Sequence, residues 1–198
     1  MTDNISNLKN SALLVMDFQN LLVDNYLSSE NAKSILNNAA SLISTARNSA
    51  IPVIYVTVGF RSGYPEVHAR NNIFSAAKEH GVFEIGSEGS AICTAIWPLD
   101  DEPVVVKHRI GAFSFTDLEM ILRAKNIETL ILTGVTTSGV VLSTVRQAFD
   151  LDYNLIVVSD CCADSDAEHH DFLIKKTLPQ HAKVVLKSEI VRMIGGNT

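Results

Sequence analysis

The apolar residues of this 198-residue chain gather into six short runs separated by longer amphipathic stretches. The runs are Ala12–Met16, Pro52–Val58, Pro103–Val106, Leu130–Thr133, Leu155–Val158 and Val184–Leu186. Most are rich in Val, Ile or Leu with little polar alternation, the pattern of strands covered on both faces. Between them, helical spacing predicts a helix over Ala32–Ala50, with Ile35, Leu36, Ala39, Leu42, Ile43 and Ala46 on one stripe. A second helix is predicted over Thr116–Lys125, where Leu118, Ile121 and Leu122 align, Thr116 stands as N-cap and Glu119 completes a capping box. Val140–Leu151 and Asp166–Leu178 continue the pattern. Strands alternating with crossover helices imply an α/β fold with a parallel sheet and right-handed connections. The one large irregular region is the connection Gly59–Asp101, which carries Gly63, Gly81, Gly86 and Gly89. Its length suits a loop that covers a site or forms an interface.

Composition narrows the picture. A chain of 198 residues can bury one core and is short for two, and no repeat, low-complexity tract or linker divides it, so 1–198 reads as a single domain. The net charge of −6, with the basic residues scattered, argues against nucleic acid as a partner. No apolar stretch is long enough to span a bilayer. Met1–Asn10 is polar and lacks the basic-then-apolar pattern of a signal peptide. Cys93, Cys161 and Cys162 are an odd count without CxxC spacing, which favours neither a disulfide framework nor a zinc site and points to a reduced, cytoplasmic setting.

Candidate chemistry sits at the ends of the apolar runs. Asp17 follows Leu13–Met16, Lys107 follows Val104–Val106, and Gly134 follows Leu130–Thr133. Open α/β sheets bind ligands beyond the carboxyl ends of their strands. An Asp and a Lys meeting there would form a charge pair suited to proton transfer, each setting the other's pKa. The same two residues also fit a structural salt bridge or a capping aspartate. Residues 133–144, TGVTTSGVVLST, make a strand-to-helix turn that aims main-chain N–H groups and one side chain at a common point. The side chain there is Val140, which cannot act as a nucleophile.

Three motifs, Val15-Met16-Asp17-Phe18-Gln19-Asn20, Lys107-His108-Arg109-Ile110-Gly111-Ala112-Phe113 and Thr133-Gly134-Val135-Thr136-Thr137-Ser138-Gly139-Val140, occur in an order that resembles the isochorismatase-like (cysteine hydrolase) superfamily. The resemblance runs from about residue 10 to 192 and continues through Arg146–Asp150 and Val158–Asp160. It implies a three-layer α/β/α domain, a six-stranded parallel sheet of Rossmann-like order 3-2-1-4-5-6, and assembly as a homo-oligomer, dimer or tetramer. Most such proteins hydrolyse amides with an Asp base, a supporting Lys and an acylated Cys. Asp17 and Lys107 match the first two positions, and Val140 stands where the Cys belongs. The resemblance further implies a cis peptide between Val135 and Thr136 and an oxyanion hole from the N–H groups of Thr136 and Val140, with Gly139 beside them in the substrate-binding turn.

Without the thiol the acyl-enzyme route is closed. Isochorismatases themselves also lack it and cleave a vinyl ether with a proton donor. Under that reading Asp17 is the acid, Gln19 orients it, Lys107 holds a substrate carboxylate, and Phe18, Phe113 and Val140 dry the pocket. Arg61, just past the second strand, would meet a small anionic substrate. Residues 57–64 carry no histidine before His68, so neither the metal cluster of the nicotinamidase branch nor any other cofactor is expected. His169 and His170 read as packing or surface residues, and Trp97 and Phe60 as pocket, interface or core. Ser143 and Thr144 lack a histidine base. Two further readings stand beside acid catalysis: a non-catalytic member that binds a ligand or serves an assembly, and an amidase with a displaced thiol, Cys161 or Cys162.

Overall fold

The computed structural model describes residues 8–195, so most of the Met1–Asn10 stretch read for a leader signal lies outside the described residues. Six strands, β1 (Ser11–Met16), β2 (Val53–Val58), β3 (Val104–Lys107), β4 (Thr129–Val135), β5 (Asn154–Ala163) and β6 (Lys183–Val185), form one parallel sheet in the order β3-β2-β1-β4-β5-β6. Seven α-helices accompany them among the described residues: α1 (Asn20–Tyr26), α2 (Ser29–Asn48), α3 (Asn72–Glu79), α4 (Leu118–Ala124), α5 (Leu142–Asp150), α6 (Ala167–Phe172) and α7 (Lys187–Gly195).

Every residue of β1, β2 and β4 is buried, which is why their sequences show no polar alternation. Alternate side chains serve opposite layers. Leu13, Val15, Val53, Tyr55, Ile131 and Ile156 pack against α2 and α7 through Ile35, Leu42, Ile43, Ile190 and Ile194. Ala12, Leu14, Met16, Ile54, Leu130 and Leu132 pack against α4 and α5 through Leu118, Leu122, Val145 and Ala148. The three-layer α/β/α architecture and strand order match the expectation.

Several boundaries differ, each for a local reason. Helix α2 starts at Ser29 because the Ser28 hydroxyl accepts from the Asn31 N–H. The capping box at Thr116 and Glu119 does not form: Asp117 takes the cap position without a side-chain bond, and the Thr116 hydroxyl donates to the Ala112 carbonyl at 2.6 Å. β3 is an edge strand, so Val104 and Val106 stay exposed instead of covered. β5 runs past Val158 to Ala163 with a bulge, since the register jumps from Leu132↔Val157 to Gly134↔Cys162. Ser159 and Asp160 in that bulge interrupt the apolar run that marked the strand. Helix α3 lies inside the connection read as irregular; the Asn71 side chain accepts from the Phe74 N–H at its start.

Candidate active site

Strand register gathers the candidate residues at one end of the sheet. Met16 pairs with Val56 on one side and Gly134 on the other, so Asp17 emerges level with the end of β4. Asp17 has a left-handed backbone, φ +58°, anchored by its N–H donating to the Val56 carbonyl at 2.8 Å. Lys107, the last residue of β3, pairs with Val58. Two strand spacings, roughly 10 Å, separate β3 from β1. A four-carbon side chain reaches most of that way, and Lys107 Nζ lies 2.8 Å from Asp17 Oδ2.

Both members of this pair are buried, at 4% exposure for Asp17 and 2% for Lys107. Lys107 Nζ also donates to the Arg109 carbonyl at 3.1 Å. Asp17 Oδ1 is buried without a hydrogen-bond partner. Burial raises the pKa of Asp17 above its ordinary value, against the lowering effect of the Lys107 ammonium. Desolvation dominates because the carboxylate receives too few hydrogen bonds to replace its lost water.

The pair opens into a cavity of about 330 Å³. One wall is the turn after β4: Val135, Thr136, Ser138, Gly139 and Val140 line it, and the peptide between Val135 and Thr136 is cis. Gly134 lets this turn approach β1, since a Cβ there would sit 2.9 Å from the Met16 carbonyl oxygen and 3.2 Å from Val140 Cγ1. The opposite wall is apolar, with Leu22 and Tyr26 from α1, Ile73 and Phe74 from α3, and Phe83 and Ile110 from the adjoining loops. Sequence reading missed this wall. The length of the connection was a signal for a covering segment, and Asn71 with Phe74, Ala77 and Gly81 carried a helix signature.

Four other residues expected at the site do not line the cavity. Phe18 points to the opposite layer among Leu13, Val15 and Val23, because it follows Asp17 directly and faces the other way. Gln19 is fully buried as a tie, its Nε2 donating to the carbonyls of Val58 and Ser90 and its Oε1 accepting from the Val58 N–H. Phe113 stacks near Tyr153 at 6.0 Å between ring centres. Arg61 stands at the surface, paired with Glu66.

The turn has a second side. Thr137 is fully buried and its Oγ1 lies 2.8 Å from His170 Nδ1, while the Ser138 N–H donates to Asp164 Oδ2 at 2.7 Å. His170 therefore braces the turn, a role its sequence position did not reveal; burial lowers its pKa. Behind it lies a separate cavity of about 250 Å³ lined by Cys162, Asp164 and His170 among others. The Cys162 thiol is pushed up to about 12 by burial, and Cys161 is likewise buried and raised. His68 is exposed, Phe60 is core, and Trp97 lies over a third cavity beside Val104 and Val106. Thr144 accepts from the Ala112 N–H. Among the described residues no three His, Cys, Asp or Glu side chains are grouped to hold a metal. No described helix is long and apolar enough to cross a membrane.

The Isochorismatase domain family matches residues 11–189, nearly the whole of the region that builds this sheet and cavity. The chain belongs to the isochorismatase family. This hydrolase is 31% identical to the uncharacterized isochorismatase family protein YecD of Escherichia coli O157:H7, over 95% of this chain and 98% of that protein. A probable inactive nicotinamidase of Arabidopsis thaliana is 30% identical, over 82% of this chain and 85% of its own. Among solved structures, an isochorismatase family protein from Burkholderia thailandensis superposes with a TM-score of 0.85 at 26% identity, covering 94% of this chain and 96% of that one.

Proposed function

We propose that this isochorismatase-family protein hydrolyses a small anionic vinyl ether by general-acid catalysis from Asp17. The observation that carries the reading is the Asp17 carboxyl itself: buried, raised in pKa, and with one oxygen free of hydrogen bonds at the head of a cavity where Val140 offers no nucleophile. Burial favours the neutral form of this carboxyl, and in that form it is a proton donor. Its proton goes to the terminal methylene carbon of the substrate, and water adds to the resulting oxocarbenium carbon and releases a proton. The hemiketal then collapses to a ketone and an alcohol. Lys107 holds the substrate carboxylate and keeps Asp17 in place. Main-chain N–H groups of Thr136 and Val140 are the donors for the alkoxide oxygen that leaves as the hemiketal collapses, with Gly139 giving them room. Phe18, Gln19 and Phe113 support the site from behind it, and Arg61 has no part in binding.

The assay is pyruvate release from isochorismate and from 2-(benzyloxy)acrylate, run beside a panel of small amides. Asp17→Asn should lower turnover by about 10²–10⁴-fold. Amide hydrolysis abolished by Cys161→Ala or Cys162→Ala would instead revive the displaced thiol, against which their separation from the Asp17 cavity argues. A non-catalytic, ligand-binding or assembly role is the second reading, favoured by the relative described as probably inactive. No turnover of any ether, with the stability of Asp17→Ala unchanged, would establish it. The exposed Phe115, Met120 and Phe172 support a homo-oligomer, and three free buried cysteines fit a cytoplasmic setting.

A further inference from the structure

The cavity wall sets a charge limit on what can enter. Its lining holds one carboxyl group, Asp17, and one ammonium, Lys107, with no arginine or histidine. Tyr26 on α1 is the remaining titratable side chain that faces it; the lining from β2, α3 and the turn after β4 contributes Val58, Ile73, Phe74 and the small residues of the turn. The basic residues after Lys107 are occupied elsewhere, His108 with the Gly59 carbonyl and Arg109 with the Glu66 carbonyl.

Two charge states follow. With Asp17 ionised, the buried pair is neutral, and an entering carboxylate would bring an unpaired charge into an apolar cavity. With Asp17 protonated, Lys107 is left with an uncompensated charge, and one carboxylate restores neutrality. Lys107 has three N–H donors, of which Asp17 Oδ2 and the Arg109 carbonyl take two, at 2.8 and 3.1 Å. The third is available to a ligand. A second carboxylate would find no cation in the lining.

We infer that the site takes an apolar-bodied molecule bearing a single carboxylate, and that its binding and the protonation of Asp17 are one coupled event. The substrate class is then an enolpyruvyl ether of an uncharged, apolar alcohol, and a dicarboxylate such as isochorismate is disfavoured. The inference rests on the acid-catalysis reading for the use made of the proton, while the binding linkage stands without it. The reaction balances as ether plus water giving pyruvate plus alcohol, with Asp17 returning to its starting state.

Calorimetric titration of the full chain with benzoate, benzyl alcohol and isophthalate, at about pH 6 and about pH 8 in buffers of unequal ionisation heat, reads the linkage directly. Benzoate should bind with uptake of up to one proton and weaken by up to about tenfold per pH unit on the alkaline side of the Asp17 titration. Benzyl alcohol and isophthalate should bind at least about tenfold more weakly at the lower pH, the cost of about 1.4 kcal/mol for an unmet charge. Asp17→Asn should bind benzoate at about pH 6 without the proton uptake expected of the native protein, because no carboxyl remains there to take the proton. Benzoate binding without proton uptake, tighter binding of either other probe, or no benzoate binding would overturn the inference. Proton uptake without turnover of either ether sinks acid catalysis and leaves the linkage standing. Asp17-dependent turnover with proton-neutral binding does the reverse.

Discussion

The two cavities on either side of the Thr136–Val140 turn differ in what they bury. In front, a carboxyl and an ammonium face an apolar wall, and the residue at the turn is a valine. Behind, Cys162 shares a polar cavity with Asp164 and His170, which hold the turn through Ser138 and Thr137. The front cavity has a carboxyl group and no thiol. The rear one has a thiol held in its inert form by burial, since a thiol near 12 is almost wholly protonated at neutral pH. Residue inventory alone would pair the acid with the thiol; the turn between them keeps the two chemistries apart.

The largest test exchanges the missing group across that divide. Val140→Cys should give a front-side thiol that reacts with a disulfide reagent about 10²-fold faster than Cys93, and faster still than Cys161 or Cys162, given the raised pKa values of the native three. Equal rates would mean that the front cavity is closed to solvent. New amidase activity in this variant would show the oxyanion donors and the Asp17–Lys107 pair already formed.

Lys107→Met removes the cation from the front pair and strands a buried carboxyl, at a cost of about 3 kcal/mol in urea unfolding. A loss under about 1 kcal/mol would mean that water reaches Asp17. The pH dependence has a defined sign. A native-state pKa above the unfolded value means the folded protein holds the proton more tightly. The stability from this group is therefore full below the unfolded value and fades as pH rises through the native one. Turnover that needs the protonated acid should fall on the same alkaline side, by about tenfold per unit.

On the rear side, Thr137→Val deletes the contact to His170 and should cost about 1–2 kcal/mol by unfolding, as for one lost buried hydrogen bond. An unchanged thermal midpoint would remove His170 as the brace. Smallest of all, Arg61→Ala should leave turnover within about twofold and stability within about 0.5 kcal/mol, because the Arg61–Glu66 pair is surface-exposed on the arginine side. A larger loss of turnover would return Arg61 to the substrate.

Much of this was legible before folding. Asp17 and Lys107 stood at strand ends, and Val140 in the turn beyond another, because uninterrupted apolar runs mark buried parallel strands, whose carboxyl ends face the crevice. Phe18 and Gln19 were misread because proximity in sequence to Asp17 does not fix which way a side chain faces. Phe113 followed Lys107 closely, yet the loop carries it to Tyr153. Leu22, Tyr26, Ile73, Phe74 and Phe83 went unnoticed since ordinary apolar residues in a connection and two short helices carry no mark of the cavity they will wall.

By itself the sequence determined an α/β fold with a parallel sheet, the charged residues at the strand ends and the absence of a thiol at position 140, because periodicity and residue type are local properties. Only the tertiary structure decided that Asp17 loses its water, that Lys107 spans β2 to reach it, that Arg61 turns away, and that the cysteines lie behind the turn. Those outcomes depend on desolvation and on contacts between residues far apart in the chain, which arise only when the sheet closes around them.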